Sequence, residues 1–291
     1  MDECRNALPA IRDRSACAGR SIMTAIAQLT MYDLPEIRAA TDALWRAVAA
    51  RLRIAGLPEV PSALSRHLTH HESWRHEGLL LGQACGYPAL NEFRDALRIV
   101  ATPLYDAPGC EGRSHRSFIV VPASSRAAGL EDLRGARFAL NSSDSNTGMN
   151  LARLAFAPFA SGGRFLGEIV ETGGHARSLA LLARNGADAA AIDCVTHALL
   201  VRHRPELVAA TRILAWSAPS PSLPFVTAHR TSEAVILALR QALASTLADP
   251  ALAWSRQALF LAGVAPADEA DYAVLLDYEL EARQMGYARL G

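Results

Sequence analysis

The chain of 291 residues carries 29 basic and 29 acidic side chains, so no overall basic field exists to hold a nucleic acid or an acidic membrane surface. Every basic residue is Arg; the absence of Lys excludes a Schiff-base lysine and the Lys of a GxxxxGK[ST] phosphate loop. Half the residues are apolar, and the length suits two lobes, each of ordinary domain size, better than one core.

The five cysteines, Cys4, Cys17, Cys85, Cys110 and Cys194, show no CxxC pair or regular spacing, so they read as buried thiols rather than a disulfide framework or a zinc site. Charges at Asp2, Glu3, Arg5, Arg12, Asp13, Arg14 and Arg20 interrupt any signal-peptide core in the first twenty residues. As it stands the sequence therefore reads as cytoplasmic, with residues 1–20 an extension. No uncharged apolar stretch approaches the ~18–20 residues of a membrane span, so no membrane insertion is expected.

Taken in chain order, Ile22 to Thr30 reads as the first strand, and Pro35 opens a long helix ended at Gly56. A short strand follows near Ala63 to Leu68, then a polar helix around His71 to Glu77 and an apolar strand, Leu79 to Ala84. Leu97 to Leu104 reads as another strand, and Ser117 to Val121 as the first strand of a second lobe. Phe138 to Leu140 is a strand, Asn141 to Gly148 a polar loop, and Met149 to Phe159 a helix. Glu168 to Glu171 follows as a strand, Ala176 to Ala183 as a helix, and 187–193 as a buried strand with an acidic end. After Arg212 to Trp216, the Pro-rich stretch Ala218 to Pro224 returns the chain to the first lobe. Helices over Glu233 to Leu247 and Ala251 to Ala262 and a helical tail complete it. Alternating strands and helices predict an α/β fold of two Rossmann-like lobes joined by a two-segment hinge, with lobe one over 21–112 and 217–291 and lobe two over 113–216.

Four pieces then stand in a telling order: Leu130-x-Asp132-Leu133-Arg134-Gly135-x-Arg137, Asn141 through Gly148, Thr172-Gly173-Gly174-His175-x-x-Ser178, and Gly186-x-Asp188-Ala189-Ala190-x-Ile192-Asp193. As a set they resemble the phosphate/phosphite/phosphonate substrate-binding family of ABC transporters, over roughly Met31 to Leu261. The resemblance implies the type 2 periplasmic binding protein fold and a small oxyanion held in an interlobe cleft. It implies an ABC permease as partner, a periplasmic location, and a binding role rather than catalysis. By the same resemblance Ser145, Asn146, Thr147 and Gly148 take the place of the family's Ser-Thr-Ser-Gly anion loop. His175 and Asp193 match its cleft His and acid, and Tyr87 and Tyr32 its two aromatic residues from lobe one. No cofactor and no metal is expected, and the protein is expected to be monomeric.

The residues support that reading chemically. Exposed amides at a helix start, with small hydroxyl residues, suit a phosphonyl group without any Lys, although Ser, Asn or Thr there would serve equally well as an ordinary cap. Asp193 ends a buried strand, a usual place for ligand groups in α/β folds, and can accept a proton-bearing phosphoryl oxygen or an amine; a simple cap is the other reading. His67, His70, His71 and His76 cluster, but no Cys or carboxylate completes a metal spacing. A cytosolic enzyme of the thiamine-pyrimidine or menaquinone-precursor type, or a ligand sensor on the same fold, is the alternative that the missing export signal favours.

Overall fold

A computed structural model describes residues 24–291; the expected N-terminal extension and the start of the first expected strand lie outside the described residues. Among the described residues there are twelve strands. In chain order they are β1 (Ile26–Gln28), β2 (Leu79–Gln83), β3 (Leu97–Tyr105), β4 (Ser114–His115), β5 (Ser117–Pro122), β6 (Phe138–Leu140), β7 (Ile169–Glu171), β8 (Ala189–Asp193), β9 (Thr211–Trp216), β10 (Ser220–Pro221), β11 (Phe225–Ala228) and β12 (Leu261–Pro266).

Ten of them form two five-stranded mixed sheets, in the orders β1-β2-β11-β3-β12 and β7-β6-β8-β5-β9. Each has parallel strands on one side and antiparallel strands on the other. The chain leaves the first sheet after β3 and returns to it at β11. On these two crossings β4 and β10 pair antiparallel as a short ribbon, Ser220 opposite His115.

Alternation along the strands explains why both faces of each sheet are covered. On β5, Phe118 and Val120 enter one apolar cluster and Ile119 and Val121 another, as period-2 geometry requires. On β11, Phe225 and Val226 divide between two clusters in the same way. The helix Arg38–Ile54 buries Trp45, Val48, Ala49 and Leu52 at helical spacing, against Ala27 of β1, Leu81 of β2 and Leu239 and Leu243 of the helix Glu233–Ala248. Each of the larger of these side chains contributes about 1.5–3 kcal/mol on burial. One cluster continues from the first sheet's side, through Tyr32, Tyr105 and Leu261, into Val120 and Ile192 of the second.

Several expected elements change. The segment 63–68 is not a strand: Leu64 packs inward and Ser65 donates its amide to Ala27, but nothing extends the pairing. The helix expected through Ala262 stops at Ala258, and β12 follows, because Leu261 to Pro266 finds an open edge on β3. Phe225–Ala228, which follows the expected return at Ala218 to Pro224 and carries no expected element, inserts as a central strand between β2 and β3. The tail does not stay with the first sheet. Ala282 and Tyr287 are buried in the second sheet's core, and the amide of Phe165 donates to the carbonyl of Gly291. Among the described residues no single helix is long and apolar enough to cross a membrane.

Candidate functional site

The loop after β6 makes an abrupt helix start. Ser145 is extended (φ −68°, ψ 136°), and its hydroxyl accepts the amide of Gly148 at 3.0 Å. The next residues, Asn146–Asn150, form a π-turn running directly into the helix Leu151–Phe156. Gly148 is required there: a β-carbon would lie 1.6 Å from Asn141 Oδ1. Asn141 in turn donates from Nδ2 to Ser145 Oγ at 3.1 Å, bracing the cap from the end of β6.

Most of the amides expected to face a ligand are already taken. Ser145 N–H donates to the carbonyl of Ser142, Asn146 N–H to the sulfur of Cys85 at 3.1 Å, and Gly148 N–H to Ser145 Oγ. Among the described residues only the Thr147 amide in this turn has no acceptor. Its hydroxyl lies 3.2 Å from Nε2 of His175, the first residue of the helix His175–Ala183. Thr147 thus presents an N–H and an O–H side by side, at the positive end of a helical run.

The acid comes from the neighbouring strand. Asp193 is buried at the end of β8, where Oδ1 accepts the amide of Thr196 and so caps the helix Cys194–His203. Its Oδ2 accepts the Tyr32 hydroxyl at 3.1 Å, a contact that reaches across from the turn after β1. Tyr32 is fixed edge-on against Tyr105, with ring centroids 5.5 Å apart. Burial, with the Asp193 carboxylate second, holds the Tyr32 phenol well above its ordinary range, so it remains a donor.

Around these groups lies a cavity of about 360 Å³ between the two sheets. Ser145, Thr147, His175 and Asp193 line one side; Tyr32, Trp74 and Leu223 line the other. At its mouth His71 Nε2 stands 2.7 Å from Asp144 Oδ2, bridging the two sheets' loops. Both partners are partly solvated, so the pair stabilises closure by at most about 1 kcal/mol. Accordingly His71→Ala should weaken ligand affinity no more than about five-fold in calorimetric titration.

Three of the expected site residues are placed elsewhere. Asn146 does not line the cavity: its Nδ2 donates to Ser220 on the ribbon strand β10, and its Oδ1 accepts from Asn150. Gly148 supplies room rather than a contact. Tyr87 is buried away from the cavity, its hydroxyl donating to Glu279 at 2.6 Å. The histidine cluster also disperses, His71 turning to Asp144 and His76 Nδ1 accepting the amide of Gly78. Among the described residues no group of three or more Asp, Glu, His or Cys side chains could hold a metal.

One neighbour escaped the sequence reading. His115 on β4 is fully buried, with Nδ1 3.4 Å from Asp193 Oδ2 and neither ring nitrogen in a well-formed hydrogen bond. The only available signal was a histidine two residues before the strand that begins at Ser117. Burial lowers the pKa of both His115 and His175, partly opposed by Asp193. Each is therefore neutral in the fold and takes a proton more readily once unfolded. Stability is complete above the unfolded value of about 6.5 and is lost as pH falls from there toward the depressed native values. Melting temperatures measured from pH 7.5 to 5 should fall on the acid side, less steeply in His115→Asn than in the parent.

Residues 68–272 match the family described as ABC transporter, phosphonate, periplasmic substrate-binding protein. The chain belongs to this family. Its members are transport binding proteins rather than enzymes, bind a small ligand, and work with an ABC permease. No curated protein matches the sequence. Among solved structures, PhnD1 from Prochlorococcus marinus in complex with methylphosphonate superposes with a TM-score of 0.72 at 11% identity, covering 90% of this chain and 99% of that one. A binding protein component of an ABC phosphonate transporter from Pseudomonas aeruginosa gives 0.72 at 13%, covering 90% and 87%. A Xanthomonas citri protein bound to ATP gives 0.67 at 18%, covering 90% and 98%. The fold shared by this family is that of the type 2 periplasmic binding proteins.

Proposed function

We propose that this family member captures a small oxyanion with a phosphonyl head, between a first lobe over 24–112 with 217–281 and a second over 113–216 that the tail 282–291 rejoins, and delivers it to an ABC permease. The observation that carries the reading is the convergence of Thr147, Ser145 and His175 with Asp193 in one cavity that Tyr32 closes from the other sheet. Thr147 N–H and Oγ1, with Ser145 Oγ, receive the anionic oxygens; His175 Nε2 donates when that nitrogen carries the ring proton. Asp193 faces the head as an acceptor, so the preferred ligand brings a proton to it, from a protonated phosphoryl oxygen or an amine. A sulfate-like anion without such a proton is repelled.

At about 360 Å³ the cavity falls at the low end of small-molecule sites, which run about 300–1,000 Å³. Met31, Leu34, Trp74 and Leu223 give it apolar walls, which suits an organic substituent on the phosphorus better than a fully solvated phosphate. The paired crossings at β4 and β10 are where the lobes hinge on ligand release. Isothermal titration with phosphate, phosphite, sulfate and a series of alkyl- and aminoalkylphosphonates tests the reading. Binding of phosphonates with none for sulfate is expected; equal affinity for sulfate, or no heat with any member, would count against it.

A further inference from the structure

Two of the cysteines, 84 positions apart in sequence, meet behind Asp193. The sulfurs of Cys110 and Cys194 are 3.5 Å apart. Cys110 closes the turn that follows β3 on the first crossing between the sheets, its amide donating to the carbonyl of Ala107. Cys194 is the first residue of the helix that Asp193 caps, and its amide donates to Arg116. The contact is built by the backbone. Gly109 has φ +93°, and a β-carbon there would come within 2.9 Å of both Cys194 Cβ and Phe118 Cζ. Only glycine lets the turn press so closely on Cys194 and carry its neighbour Cys110 alongside. Both cysteines pack in the cluster that joins the two sheets, with Tyr32, Tyr105 and Ile192.

We infer that Cys110 and Cys194 form a disulfide that ties the first interlobe crossing to the helix start carrying Asp193. The inference rests on the periplasmic, oxidising setting of the family and not on the identity of the ligand. The sulfurs must approach by about 1.5 Å to reach bonding distance, a movement within reach of the side-chain torsions. The oxidant is a protein or small-molecule disulfide. The half-buried Cys110 attacks as its thiolate, forming a mixed disulfide and releasing one thiol of the oxidant. Cys194 then gives up its proton, attacks the Cys110 sulfur and expels the second thiol. Two cysteine thiols are oxidised and one disulfide is reduced to two thiols, so the exchange balances. The bond would hold the α-carbon next to Asp193 in place while the lobes move on their hinge.

Trypsin, cutting after Arg98, Arg113, Arg184 and Arg202, gives peptides 99–113 and 185–202, each with a single cysteine. The full chain, equilibrated in oxidised glutathione, alkylated in denaturant and digested, should yield these two peptides joined, and reductant should separate them. The oxidised protein should melt about 5 °C above the reduced one, and Cys110→Ser should abolish that difference. Recovery of both peptides alkylated, or of either joined to Cys4, Cys17 or Cys85 instead, would overturn the inference. So would a redox-dependent melting shift that survives in Cys110→Ser.

Discussion

Asp193→Asn should lower ligand affinity by roughly 10- to 150-fold while leaving the fold largely intact, the range expected when one charged hydrogen-bond acceptor is lost. The two oxygens of Asp193 have separate duties: Oδ1 caps the helix at Thr196, and Oδ2 takes the Tyr32 hydroxyl and faces His115. Asn keeps one carbonyl oxygen, and therefore the cap, but replaces an acceptor with a donor on the side that meets the ligand. Asp193→Ala removes both duties. It should lose binding to the same degree and also about 1 kcal/mol of stability from the uncapped helix. Comparing the two in calorimetry and thermal melts separates the ligand contact from the structural one. Thr147→Val, which removes one neutral hydroxyl and leaves the amide, should cost less, up to about ten-fold in affinity.

The second large effect falls on the fold at the helix start. Gly148→Ala puts a methyl group 1.6 Å from Asn141 Oδ1 and 2.6 Å from its Cγ, distances no packing tolerates. Asn141 cannot swing aside freely, because its Nδ2 is bonded to Ser145 Oγ and lies 3.4 Å from His175. The turn must therefore open, at a cost of about 1–3 kcal/mol, and the melting temperature should drop by about 3–10 °C. Because that turn presents Thr147, binding should fall with it. Adding Asn141→Ala removes the obstructing group and should recover much of the lost stability. Gly174→Ala is the control. No atom stands within 4 Å of a β-carbon there and the backbone is extended, so stability should change by less than about 0.5 kcal/mol.

Where the chemistry of a segment is decided locally, the sequence was readable. Phe138–Leu140 is a strand over the expected residues, and the loop from Asn141 leads into a helix, although the helical turn starts at Asn146, inside the expected loop. Asp193 sits at the end of a buried strand because an apolar run stops there at a single carboxylate. What escaped was decided by partners distant in sequence. Leu261-Ala-Gly-Val-Ala-Pro266 has no strong strand composition; it becomes a strand because β3 offers an unpaired edge, which nothing near residue 261 announces. The same holds for Phe225–Ala228, held on both sides by strands more than a hundred residues upstream. At the site, side-chain direction was the hidden variable. Asn146 and Thr147 are adjacent in one turn, yet Asn146 points to Ser220 and Thr147 to His175. Tyr87 was expected at the cavity, but Glu279, nearly two hundred residues later, draws its hydroxyl away. His115 and the pairing of Cys110 with Cys194 depend on how the crossings pack, and no spacing in the sequence encodes that.

The most direct test of the proposed function is a crystal structure of the protein with methylphosphonate. The phosphonyl oxygens are predicted within hydrogen-bonding distance of the Thr147 amide and hydroxyl and of His175 Nε2, with Asp193 on the protonated oxygen. Density for the ligand outside the cavity between the sheets, or within it but away from these groups and from Ser145 Oγ, would contradict the account.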